Sequence, residues 1–181
     1  MILKSLLTLL LFVVDRGQSW QSFKWLLAEV LSKEAKFYKL GDRYIREVMV
    51  GFCVISYKDL VLYEVRQVFK DGRETARYQP VGGKLRYDQD PEQEMLREIE
   101  EEIGISPVGV RLTSTDTSHS TEVYKFPGTE AVWHNWYYEY QLAECEYSPE
   151  GYIEVDRDKT TYFKWFHKDV KVVRNSGKWT K

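Results

Sequence analysis

The chain has 181 residues, enough for one domain with a full core. A net charge of −2 with 30% charged residues and no basic block gives no long-range attraction to a nucleic-acid backbone, so polymeric nucleic acid is excluded as an expected partner. Two cysteines, Cys53 and Cys145, sit in apolar, strand-like surroundings without zinc-ligand spacing, which favours free buried thiols in a reducing cytoplasm.

Ile2, Leu3 and the run Leu6 to Val14, broken only by Thr8, open the chain, with Lys4 before and Asp15-Arg16 behind. A run of about 13 residues is short of the ~17–25 a spanning helix needs, and no small-residue cleavage site follows. The next segment is amphipathic, with Trp20, Phe23, Leu27, Val30 and Leu31 on one face. Residues 1–40 therefore read as a hydrophobic and amphipathic helical segment. Residues 1–33 either contact a membrane interface, as a clipped anchor would, or pack on the domain or on a second copy of the chain. The expected location is cytoplasmic, with membrane association through the N-terminus as the other reading.

From Tyr44 the periodicity is that of strands. Val48 to Tyr57 and Leu60 to Val68 are apolar and β-branched around Lys58-Asp59 and read as a hairpin. Lys70 to Thr75 reads as a polar loop, and Arg77 to Val81 as the strand that delivers Gly82 and Gly83. These glycines let the backbone approach a ligand. Asp90, with Gln93 three residues on, caps a helix that begins at Pro91, runs to about Ile103 and stops at Gly104. Met95, Leu96, Ile99 and Ile103 form its apolar side, and Glu94, Glu98, Glu101 and Glu102 an acidic one. Like charges one turn apart cost about 0.2–0.5 kcal/mol per pair unless a cation lies among them. Arg97 offsets one carboxylate; a hard dication with oxygen ligands would offset the rest. Downstream, Val108 to Leu112 reads as a strand, Thr113 to Gly128 as a loop-rich excursion, Ala131 to Cys145 as a long aromatic strand, Tyr162 to His167 as a last strand, and Lys168 to Lys181 as a basic, polar tail. Strands around one acidic helix make an α+β protein, a mixed sheet with helices packed on it.

Gly83, Arg97, Glu98, Ile99, Glu101, Glu102, Gly104 and Ile105 stand at eight of the nine fixed positions of the Nudix hydrolase signature; Gln89 replaces the glutamate of the ninth. The chain therefore resembles that family over about Tyr44 to His167. The resemblance implies an αβα sandwich on a mixed sheet, with residues 41–181 as the Nudix domain. It implies hydrolysis of a pyrophosphate linkage in a nucleoside diphosphate derivative, with Mg²⁺ or Mn²⁺ held by Glu98, Glu101 and Glu102. Glu98 would alternatively act as general base, and Arg97 would orient the glutamates. Gly82, Gly83, Lys84 and Arg66 are the candidate substrate contacts, Arg66 being equally readable as a solvent-facing strand residue. His119 and His134 read more simply as surface histidines, and Trp133 and Tyr137 as core residues. The apolar start ahead of a Nudix-like domain is also similar to membrane-linked Nudix effectors of cyclic-nucleotide antiviral systems, in which the domain senses a nucleotide; Gln89 and the N-terminal segment fit that second reading.

Overall fold

The computed structural model of the chain describes residues 2–122 and 126–169; the end of the basic tail, residues 170–181, lies outside them. The chain forms two compact units, one of residues 1–51, 83–95 and 112–137, the other of residues 52–82, 96–111 and 138–181.

In the first unit, helices α1 (Ile2–Arg16) and α2 (Trp20–Leu31) precede strand β1 (Ala35–Leu40). Ser19 caps α2, its Oγ accepting the Ser22 N–H at 3.1 Å. β1 turns through Gly41-Asp42 and pairs antiparallel with β2 (Arg43–Tyr57), Ala35 opposite Val48 and Leu40 opposite Arg43. Residues 35–40, read from sequence as the end of the helical segment, are thus a strand. Buried Ala35 and Phe37 with half-buried Lys36 between them have the period of a pleat. Leu9 and Phe12 of α1 and Leu26 and Val30 of α2 form one core with Phe37, Tyr44 and Phe126. The Phe12 ring lies 5.3 Å edge-on from Phe37 and 5.0 Å from Tyr44. One side of the apolar N-terminal run is therefore core, the packing alternative of the sequence reading. The opposite side leaves Leu7, Leu10, Leu11 and Val14 exposed. No helix among the described residues is long and apolar enough to cross a membrane.

β7 (Thr129–Gln141) pairs with β2, and β6 (Arg111–Thr121) with β7. Here the sequence reading needs correction. Residues 108–110 are irregular, and Thr113 to Thr121, expected as loop, is strand; its Ser/Thr-rich, proline-free run suits an exposed pleat. The long strand ends at Gln141, so Cys145 falls on a short 3₁₀ turn (Glu144–Glu146) and is exposed, while Cys53 is free and buried. Burial pushes the Cys53 thiol up to about 12.

In the second unit, β2 ends in the expected hairpin with β3 (Leu60–Phe69). Ser56 stands opposite Val61, and Lys58 takes the left-handed conformation (φ 52°) that a two-residue turn requires. β3 pairs antiparallel with β4 (Glu74–Gln79) on one side and β9 (Lys159–His167) on the other, and β8 (Tyr152–Val155) pairs with β9. β5 (Val81–Leu85) follows β4 after Pro80, whose missing N–H ends the strand there, and pairs with β2. β8 has no counterpart in the sequence reading: at four residues it is too short to show alternation.

Candidate active site

Helix α3 (Pro91–Ile103) has the predicted bounds for the predicted reasons. Asp90 Oδ1 accepts the N–H of Glu92 at 3.0 Å and of Gln93 at 3.2 Å, and Gly104 closes the helix at φ +71°. Met95, Ile99 and Ile103 are buried. Glu94 departs from the acidic side assigned to it: it is 2% exposed and grips Arg86, whose Nε is 2.9 Å from Oε2. Burying a carboxylate without such a partner would cost several kcal/mol, so this pair is what lets the first turn sit against the core.

The second unit assembles most of the predicted site. Arg97 holds two of the signature carboxylates, Nη1 reaching Glu101 at 2.5 Å and Nη2 hydrogen-bonding Glu98. Glu102 accepts the Gly82 N–H at 3.0 Å, so the glycine delivered by β4 and β5 meets the helix through its backbone, as a residue without a side chain permits. Burial, reinforced by the charges of Glu98, Glu154 and Glu64, pushes the Glu102 carboxyl up to about 9. A buried carboxyl pushed up beside other carboxylates is a common feature of functional sites. Arg66 lies on β3 with its guanidinium 4.4 Å from the centre of the Tyr162 ring and 3.7 Å from Glu74; it is half-exposed.

Gly83, Lys84 and Gln89 belong to the first unit. There Lys84 Nζ is 2.6 Å from Glu29 and 3.5 Å from Glu34, so its ammonium is already engaged. Gln89 is exposed, its N–H donating to the Arg86 carbonyl at 3.3 Å. His134 bonds Glu47 at 2.9 Å and His119 lies 3.4 Å from Glu130.

Two carboxylates escaped the sequence reading. Glu64 on β3 is 3% exposed, with Gln79 donating to Oε2 at 2.8 Å, and burial raises its pKa. It stands two residues after buried Leu62, so strand alternation alone directs it inward and could have flagged it. Glu154 lies on β8, the strand the reading lacked, and no sequence signal marks it.

A model of the NUDIX domain matches residues 46–173. The chain belongs to the Nudix family. The fold expected from the signature, a sheet with flanking helices preceded by N-terminal helices, stands with that membership, as does the expectation of an enzyme of the Nudix pyrophosphohydrolase type. Comparison with curated proteins gives no match. Among solved structures, the chain is similar to the E. coli ORF135 protein (18% identity, TM-score 0.41, covering 70% of this chain and 76% of that one). It is similar also to the NUDIX domain of Shewanella oneidensis NrtR complexed with ADP ribose (16%, 0.45, 67% and 73%) and to a C. elegans Ap4A hydrolase (15%, 0.40, 66% and 79%). Likenesses of that degree carry no argument of their own; the family match does.

Nudix hydrolases generally use a divalent metal. Among the described residues no three His, Cys, Asp or Glu side chains converge to hold one. The donor chemistry nonetheless fits such an ion: an all-carboxylate set, with Glu102 kept from ionising by burial and then by the charge of Glu98, suits a hard cation and no soft one.

Proposed function

We propose that this Nudix protein hydrolyses a pyrophosphate linkage in a nucleoside diphosphate derivative, with Mg²⁺ or Mn²⁺ held by Glu98, Glu101 and Glu102. The observation that carries the reading is the arrangement around α3, in which Arg97 ties Glu98 to Glu101 while the Gly82 N–H fixes Glu102. A bound dication would neutralise non-bridging phosphate oxygens and lower the pKa of a water. The chain's own groups do the rest. Arg97 keeps two carboxylates in a fixed orientation; Glu98, in the alternative in which it does not bind the ion, would accept a proton from water. Arg66, backed by the Tyr162 ring, presents a fork of donors that matches a phosphate. Gly82 and Gly83 permit the close approach of a diphosphate to the backbone. Lys84 enters with its ammonium held by Glu29 and Glu34, so a phosphate would compete with them. The exposed row Leu7, Leu10, Leu11 and Val14 supports a membrane contact or self-association through residues 1–33, which vesicle co-sedimentation and light scattering separate.

The test is a panel of ADP-ribose, dinucleoside polyphosphates, nucleotide sugars, triphosphates and cyclic oligonucleotides, scored for both binding and cleavage with Mg²⁺. Wild type is expected to release a nucleoside monophosphate from at least one non-cyclic member, and Glu98→Gln and Glu102→Gln to abolish that release at unchanged nucleotide affinity. Binding without cleavage across the panel would replace hydrolysis with the sensing role.

A further inference from the structure

Strand β6 ends its sheet and buries nothing. All eleven of its residues, Arg111 to Thr121, are exposed, and among the described residues it pairs with β7 alone. One ladder, with water on both faces, leaves it half of a central strand's support. Its other edge is open. Glu122, just past the strand, donates its N–H to the Thr129 carbonyl at 3.0 Å, and Thr117 with His134 and Asp116 with Asn135 keep the same register. Backbone groups of successive residues alternate sides, so those of Thr113, Thr115, Thr117, His119 and Thr121 turn away from β7. No backbone partner among the described residues meets them there.

Long open edges are templates for another strand, and folded proteins blunt them with lysine, proline, bulges or shortness. β6 is long and has neither lysine nor proline. Its outward positions from Thr113 to Thr121 are threonine apart from His119, and β-branched residues suit a pleat. The strand is also complementary to itself. A twofold axis through Thr117 sets two copies antiparallel with their outward backbone groups facing, Thr113 opposite Thr121 and Thr115 opposite His119. At the alternate positions Ser114 meets Ser120 and Asp116 meets Ser118. The Ser118 hydroxyl accepts from Asn135 Nδ2 at 3.4 Å, which leaves its own proton for the Asp116 carboxylate of the second copy. Thr115 opposite His119 repeats the pair that Thr117 already makes with His134 at 3.2 Å. The two aspartates lie only diagonally, each already bonded by Asn135 at 2.5 Å and Tyr137 at 3.2 Å. An axis through Asp116 would set these carboxylates directly opposite, and one through Ser118 would shorten the overlap, so the pattern selects one register.

We propose that two copies of the chain associate through β6, edge to edge and antiparallel about Thr117, so that the β7–β6 ribbon of each continues into the other. Five outward residues in each copy would form about ten backbone hydrogen bonds, two for each hydrogen-bonded pair. The twofold uses this edge of both copies, so the assembly closes at two. An extended peptide would satisfy the same backbone groups, but a second β6 also supplies the Asp116–Ser118 and Thr115–His119 pairs, each twice. The dimer does not depend on the hydrolytic reading and does not use the exposed row of α1.

The test is sedimentation equilibrium of the full chain at up to about 0.1 mM, for wild type, Ser118→Asp, Thr117→Pro and Leu10→Glu. Wild type is expected to dimerise. Ser118→Asp sets carboxylates opposite one another at both Asp116 contacts, and Thr117→Pro removes the outward N–H on the axis without removing a bond to β7. Each should raise the dissociation constant at least tenfold, and Leu10→Glu should leave it unchanged. Cross-linking reads the register. In a Cys145→Ser background, Thr117→Cys should form an intermolecular disulfide on mild oxidation, its Cα atoms standing about 5.5 Å apart across the axis, and Thr113→Cys should not. Ser118→Asp, an exposed change, keeps the test decisive if Thr117→Pro fails to fold. A monomeric wild type, or cross-linking of Thr113→Cys in place of Thr117→Cys, would overturn the proposal. So would a dimer that Leu10→Glu disrupts and Ser118→Asp does not, which would move the interface to α1.

Discussion

Glu29→Gln should cost the protein about 3 kcal/mol at neutral pH. Glu29 sits on α2, 5% exposed, with Oε2 2.7 Å from Arg46 Nε and Oε1 2.6 Å from Lys84 Nζ. Arg46 is itself 2% exposed, its guanidinium 5.0 Å from the centre of the Phe126 ring and 5.1 Å from that of Trp133. Burial opposes ionisation of Glu29, but Arg46 and then Lys84 outweigh it and bring the carboxyl from 4.5 to about 2. At about 1.36 kcal/mol per pKa unit, that difference corresponds to about 3 kcal/mol held by the charged form. Removing one member of a buried pair typically costs 3–5 kcal/mol, and Glu122, 3.3 Å from Arg46 Nη1, places this case at the lower end. A carboxyl whose pKa is depressed by folding contributes fully above its unfolded pKa, here 4.5, and loses that contribution as pH falls toward 2. Urea unfolding of wild type and Glu29→Gln at pH 7, 4.5, 3 and 2 should therefore show a gap of about 3 kcal/mol at pH 7 that closes below pH 4.5. A gap under about 1 kcal/mol at pH 7, the range of an exposed pair, or one that does not change with pH, would refute the argument that this ion pair is a buried tie between α2 and the strand.

Phe12→Ala removes a ring that touches Phe37 and Tyr44 at 1% exposure, and should lower stability by about 3–5 kcal/mol in denaturant titration; a loss below 1 kcal/mol would make α1 an appendage and not core. Gly151 holds φ +83°, and a Cβ there would lie 2.0 Å from the Phe163 carbonyl oxygen, so Gly151→Ala must displace β8 from β9 at a cost of more than about 2 kcal/mol; hydrogen exchange slow at Tyr152 and Glu154 in both proteins would contradict this. Gln89→Glu, an exposed change, should shift stability by less than about 0.5 kcal/mol. It should raise hydrolysis at limiting Mg²⁺ with nucleotide affinity nearly unchanged, while equal rates across the Mg²⁺ range would confine the residue to shaping its loop.

Local chemistry alone specified α3. An Asp cap, a proline at the first position and a glycine stop are interactions between residues at most four apart, so its bounds and the contacts of Arg97 with Glu98 and Glu101 follow without tertiary information, whereas the burial of Glu94 against Arg86 does not. The hairpin at Lys58-Asp59 was legible for the same reason. What the sequence left open was which partner each side chain meets across the fold. The N-terminal apolar run is equally compatible with lipid, a second chain or its own strands, since hydrophobic burial is non-directional; packing of Leu9 and Phe12 on Phe37 and Tyr44 decided for the strands on one side of α1. Lys84 beside two glycines reads as a phosphate contact, and only the fold shows that α2 also brings Glu29 to its ammonium. Glu64 and Glu154, 90 positions apart, share one face of the sheet only because β9 pairs with both their strands and a one-residue bulge rotates Glu64 and Gln67 onto a common face, a register that depends on hydrogen bonds between segments that carry no local trace of one another.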